Sequence, residues 1–151
     1  MLSQPAPLRG PTRVASVDQV VSVVLPPDLI THRLQGAVQG VSGDGAYRVH
    51  VERLRPERLI RLAASAKDAW TARGWEVTGE QHFERALFAA MRRGGTARNP
   101  RERREVWWIE GEHAVTLCDV IVQRTAYDRL GDPVRAGCQT IEAVSWPPED
   151  E

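Results

Sequence analysis

With 151 residues, 42% of them hydrophobic and 26% charged, the chain has the length and apolar content of one globular domain with a core of its own. Twenty basic side chains balance twenty acidic ones, which excludes the overall positive field of a protein that holds nucleic acid mainly through phosphates. No stretch is long and apolar enough to cross a membrane, and MLSQPAPLRGPTRVASV lacks the apolar core of a signal peptide, so no membrane insertion and a cytoplasmic location are expected.

In chain order, residues 1–15 are rich in Pro with little that packs, and predict a flexible arm ahead of a single α+β domain over 16–147. Val17 to Leu25 is a Val-rich run stopped by Pro26-Pro27, as expected of a strand that ends abruptly. Arg33 to Val41 and Ala46 to Leu54 flank Ser42-Gly43-Asp44-Gly45, a cluster suited to positive φ, and predict a hairpin. Within it, Tyr47, Val49 and Val51 alternate with Arg48, His50 and Glu52, the pattern of a half-solvated strand.

The period then changes. Leu59, Leu62, Ala63, Ala66 and Trp70 recur at helical spacing, so Arg55 to Arg73 predicts the main helix with Pro56 near its first position. Gly74 is placed to be the left-handed C′ residue, which puts Trp75 at C″ and Trp70 at C3, where a Schellman ending brings the two rings together. Trp75 to Val77 and Glu80 to Met91 return toward the sheet, although His82 to Met91 fits a helix equally well. Arg92 to Arg104, with Gly-Gly and Asn-Pro steps, reads as a polar loop.

The longest β-forming segment runs from Arg103 to Thr125. Gly111 as the first residue of a two-residue loop predicts a type II′ hairpin pairing Glu110 with His113, Ile109 with Ala114, Trp108 with Val115, Trp107 with Thr116 and Val106 with Leu117. Val106, Trp108, Val115 and Leu117 then share one face; Trp107, Ile109, Ala114, Thr116 and Cys118 share the other. Asp132-Pro133 starts a short C-terminal helix with Val134, Cys138, Ile141 and Ser145 on one stripe, and residues 148–151 form an acidic tail. The expected architecture is an antiparallel sheet with the 105–123 hairpin at its centre and one long helix packed on a face.

Motifs for chemistry are missing. GxSxG is absent, and His32, His50, His82 and His113 show neither HxH nor HExxH spacing, so no catalytic residue, cofactor or metal site is expected. Cys118 and Cys138 lack CxxC or Cys/His spacing, which predicts two buried thiols. Among five tryptophans, Trp107 and Trp146 are not accounted for by the helix ending or by the Trp108 face, and an unaccounted Trp on an apolar strand face is the chemistry of a docking surface.

The order strand, hairpin, long helix, antiparallel strands, short helix resembles the PsbP-like fold shared with DcrB-type proteins. The likeness rests on the strand ending at Pro26-Pro27, Gly74-Trp75-Glu76-Val77 closing the helix, Gly94-Gly95-Thr96-Ala97 before the Trp107-Trp108 strand, Asp119-Val120-Ile121-Val122-Gln123, and Ile141-Glu142-Ala143-Val144-Ser145. It implies a binding module without catalytic residues, as in cytoplasmic chaperones that shelter apolar segments of secreted effectors. The expected function is therefore a non-catalytic adaptor or chaperone, with Trp107, Ile109, Thr116 and Cys118 contacting a protein partner or a second copy of the chain. Two alternatives stand beside it. One is a small enzyme or ligand-binding domain with a cleft under the main helix using His50 or His82 with a carboxylate; the other is anion or nucleic-acid binding by Arg92, Arg93, Arg98, Arg101, Arg103 and Arg104.

Overall fold

The computed structural model describes residues 6–126; the expected Pro133 helix and the acidic tail lie outside them. Nine strands and one helix follow in order: β1 Thr12–Ala15, β2 Ser22–Leu25, β3 Leu29–Leu34, β4 Ala37–Ser42, β5 Tyr47–Leu54, α1 Leu59–Thr71, β6 Glu76–His82, β7 Ala86–Gly95, β8 Pro100–Glu110 and β9 Val115–Gln123. Strands β3 to β9 make one antiparallel sheet in the order β3-β4-β5-β9-β8-β7-β6, and β1 and β2 form a separate ribbon. The fold is α+β, as the alternating and helical periods predict, with α1 packed across β6, β7 and β8.

Each face of the sheet carries a core. On one, α1 lays Leu59, Leu62, Ala63, Ala66 and Trp70 over Leu87, Ala89, Met91, Val106, Trp108 and Val115. On the other, β1, β2 and the turn between them contribute Val14, Val21, Val23 and Leu25 to a cluster with Tyr47, Val49, Val51, Cys118, Val120 and Val122. Burial of the Tyr47 hydroxyl, which finds no hydrogen-bond partner among the described residues, pushes its pKa well above the usual phenol range.

The helix ends as its sequence requires. Gly74 sits at φ 93°, Trp75 N–H donates to the Trp70 carbonyl at 3.1 Å, and Gly74 N–H donates to that of Thr71 at 3.1 Å, the two bonds of a Schellman motif. Its start is later than expected, because Arg58 keeps extended backbone (φ −62°, ψ 130°) and Pro56 lies outside the helix. The rings also pair differently from the expectation: Trp70 packs on Trp108 with centroids 6.0 Å apart, and the Arg104 guanidinium lies 3.8 Å from the Trp70 centroid and 5.2 Å from that of Trp75. Arg104, 8% exposed, is held by Asp119 through bonds of 2.8 and 2.5 Å, so its buried charge is both paired and stacked.

Five expectations are corrected. The arm is anchored within residues 1–15: Leu8 exchanges backbone bonds with Leu29 and Asp28, and Thr12–Ala15 is β1. Val17 to Leu25 is broken, since the Ser16 hydroxyl accepts from Val20 and Val21 N–H and donates to Asp18, closing a turn with Gln19 at φ 61°. Arg33 to Val41 divides at Gly36, φ 69°, into β3 and β4. Arg92 to Arg104 is mostly strand, leaving only Thr96 to Asn99 between β7 and β8, because cross-strand partners such as Glu102 for Arg93 stabilise its polar alternation. Cys118 is disulfide-bonded, in place of the expected free thiol.

Candidate docking surface

The central hairpin keeps its expected faces but not its register. Trp107 pairs with Cys118, Trp108 with Leu117 and Glu110 with Val115, two residues beyond the expected partners. Gly111 N–H donates to the Ala114 carbonyl at 2.8 Å, so the loop is Glu112-His113 and Gly111 does not take positive φ. A slip of two restores every side chain to its own face, which is why the hydrophobic pattern does not separate the two registers.

Trp107, Ile109, Thr116 and Cys118 do share one face, by register. Their surroundings differ. Thr116 and Cys118 are 1% and 0% exposed, because β9 lies mid-sheet between β5 and β8, and Cys118 is part of the β1–β2 core. A partner meeting the folded chain does not reach either. Trp107 and Ile109, one strand further out, are half-buried.

Beside Trp107 the structure places two rings outside the expected set. Phe88 is its cross-strand partner on β7, with centroids 4.9 Å apart, and Phe83 stacks on it from the β6–β7 turn at 5.7 Å and 22°. Phe83 is held there by its N–H bond to the Ala86 carbonyl at 2.8 Å, yet is 51% exposed. Leu87, Ala89 and Met91 alternate with Phe88 and Ala90, and that period of two is the signal that would have found this face.

Phe88 also lines a groove of about 340 Å³ with Thr78, Ala90, Arg92, Arg103 and Glu105. Of the six arginines weighed for anion binding, Arg92 pairs with Glu76, Arg93 with Glu102 and Arg104 with Asp119. Arg98, Arg101 and Arg103 are exposed around the β7–β8 tip.

The alternative His–carboxylate site looks different. His50 donates from Nε2 to Glu52 at 2.7 Å and accepts at Nδ1 from Gln39 at 3.1 Å, so neither nitrogen is left to take a substrate proton. It borders an open groove of about 330 Å³ over β4, β5 and β9, on the same sheet face as α1 but beside it, and the underside of the helix is filled by the tryptophan cluster. His82 is exposed at the end of edge strand β6.

No protein-family model matches the chain, and no curated protein sequence matches it. Among solved structures it is similar to the solution structure of cyanobacterial PsbP (CyanoP) from Synechocystis sp. PCC 6803, at TM-score 0.60 and 9% identity over 89% of this chain and 93% of that one. A crystal structure from Bacteroides thetaiotaomicron VPI-5482 aligns at TM-score 0.47 and 12% identity over 89% of this chain and 48% of that one, so this chain spans about half that protein's length. The first likeness shows the fold, which is PsbP-like; the second adds nothing to it.

Proposed function

We propose that this protein is a non-catalytic binding module, an adaptor or chaperone that receives an apolar segment of a partner protein on the Phe83–Phe88–Trp107 surface. The observation that carries the reading is this cluster of three rings on a half-open sheet face, with Phe83 half in solvent although a folded chain gains by burying it. Aromatic anchors of this kind dominate the energetics of protein interfaces, since they desolvate much area with few rotors to fix. A secreted effector is the partner suggested by the resemblance of the sequence pattern to DcrB-type proteins.

A photo-crosslinking residue in place of Ile109, introduced in the native host, tests the reading. Crosslinking to a defined protein should fall by about thirtyfold when Phe88→Ala or Trp107→Ala is added, the loss expected of a hot-spot ring worth about 2 kcal/mol. Capture unaffected by either change removes the surface from the function.

A cytoplasmic location belongs to the chaperone reading, and the disulfide at Cys118 pulls against it because cytosolic thiols are kept reduced. Trapping thiols by alkylation in growing cells decides between them. Reduced Cys118 keeps the cytoplasmic placement; oxidised Cys118 moves the protein to an oxidising compartment and changes the class of partner accordingly.

A further inference from the structure

The disulfide at Cys118 and the ring cluster stand in one row of the sheet. Cys118 pairs with Trp107 and Trp107 with Phe88, so the three lie side by side on β9, β8 and β7, on the face opposite α1. At a strand spacing of about 4.8 Å, Trp107 is about 5 Å and Phe88 about 10 Å from Cys118. A disulfide holds its two Cα atoms about 4.4–6.8 Å apart, so whatever is bonded to Cys118 sits beside this row.

Burial narrows what that can be. Cys118 is 0% exposed on a strand flanked by β5 and β8, so a second folded copy does not reach its sulfur. The sequence holds two cysteines, and the other, Cys138, lies outside the described residues. The path of the chain leads there: Ala126, the last described residue, is fully buried in the β1–β2 core, so the backbone leaves β9 on the face that carries the rings. From the Val122 end of β9 back to Cys118 is about 14 Å along the strand. The twelve residues from Ala126 to Cys138 cover that even at a helical rise of about 1.5 Å each. Beyond Cys138 come Ile141, Val144 and, eight residues on, Trp146, the other tryptophan that neither the helix ending nor the Trp108 face accounts for. Eight residues reach about 12 Å as a helix and more when extended, enough for Trp146 to meet Phe88.

We propose that the first occupant of the Phe83–Phe88–Trp107 surface is this chain's own segment from Cys138 to Trp146, pinned by a Cys118–Cys138 disulfide, and that reduction hands the surface to the partner segment. The reductant is a dithiol: its two S–H groups close to a disulfide while the Cys118–Cys138 bond takes up two electrons and two protons and becomes two thiols. Pinned, Trp146 is eight residues from its anchor; released, it is twenty residues from Ala126. On that change of length alone, the effective concentration of its ring at the surface falls about fourfold. The inference rests on the docking reading above and gives that surface a closed, oxidised state and an open, reduced one.

The experiment places a photo-crosslinking residue at Trp146 in the purified full chain and reads the crosslinked peptides by mass spectrometry, before and after dithiothreitol. Non-reducing peptide mapping of the same sample should give a Cys118–Cys138 linkage within a monomer. Crosslinks should join position 146 to the peptides holding Phe88 and Trp107 in the same chain, and should fall about fourfold on reduction or in Cys138→Ser. A disulfide-linked dimer, or crosslinks between chains, overturns the inference in favour of a second copy. Crosslinks to α1 or β3 instead, or none at all, overturn it and leave the surface to an outside partner, which the residue at Ile109 still captures. Ring crosslinks undiminished in Cys138→Ser overturn the release, and with no partner captured from Ile109 in either redox state they overturn the docking reading as well.

Discussion

Trp107 and Trp108 are consecutive residues of one strand, yet they belong to regions built on different principles. Trp108, 1% exposed, is enclosed by a helix whose ending supplies two more tryptophans and by a buried ion pair that stacks on them. Trp107 sits at the margin of the β1–β2 core with the rings of Phe83 and Phe88 on it and is only half-buried. The difference comes from what the chain has available to place on each side. The helix α1 covers the Trp108 face, while the β1–β2 ribbon packs over β4, β5 and β9 and leaves the β7–β8 end of the opposite face uncovered by any described element. Apolar content alone therefore does not separate core from docking surface. The nearest covering element does.

Substitutions at the two sites should separate these roles. Trp108→Ala should have the largest effect, about 3–5 kcal/mol of stability from lost transfer and the cavity left beneath α1, read from the midpoint of a denaturant melt. A loss below about 1 kcal/mol would erase the contrast between the faces. Asp119→Ala, which strands the Arg104 charge among the rings, should cost about 3 kcal/mol, and adding Arg104→Met should recover much of it. No recovery in the double variant would mean that stacking on Trp70 and Trp75, rather than the ion pair, holds Arg104 in place.

Gly95→Ala tests the β7–β8 tip that presents the arginines. Gly95 has φ 69°, and a Cβ there would lie 2.4 Å from the Asn99 carbonyl oxygen and 2.8 Å from the Arg101 nitrogen, both backbone atoms. A cost of about 2 kcal/mol is expected from left-handed strain and the clash together; a neutral result would show that the tip rearranges freely. Trp107→Ala is the mildest for folding, about 1 kcal/mol from its lost ring contacts, measured in the same melt. Its larger effect should appear in partner capture, and a stability loss equal to that of Trp108→Ala would make it a core residue.

Some of this was legible in the sequence and some was not, for identifiable reasons. The helix, its Schellman ending at Gly74 and the two faces of the central hairpin follow from a 3.6 period, a glycine and a period of two, all local signals. The hairpin register does not, because a two-residue slip leaves both faces unchanged. Arg92 to Arg104 reads as a loop for want of its partners: Glu76 and Asp119, which answer Arg92 and Arg104, lie on other strands. Of the four expected docking residues, Thr116 and Cys118 fall on a strand whose central position is a fact of topology, and Phe83 and Phe88 stay hidden because His82 to Met91 supports both periods. The disulfide at Cys118 carries no local spacing at all.

The junction of β5 with β9 has a consequence for how the chain reaches this structure. Every other pair in the large sheet joins strands adjacent in sequence, so β3-β4-β5 and β6-β7-β8-β9 are two meanders, each able to form from local contacts. Pairing Leu54 with Val115 and Tyr47 with Val122 instead brings together residues separated by the whole helix and three strands. Loop closure over that distance is paid before the contacts reward it, which favours slow, seam-limited folding over the microsecond collapse of a helical bundle. Until the seam closes, the edges of β5 and β9 both present unpaired backbone, and the same pairing is open to another copy of the chain.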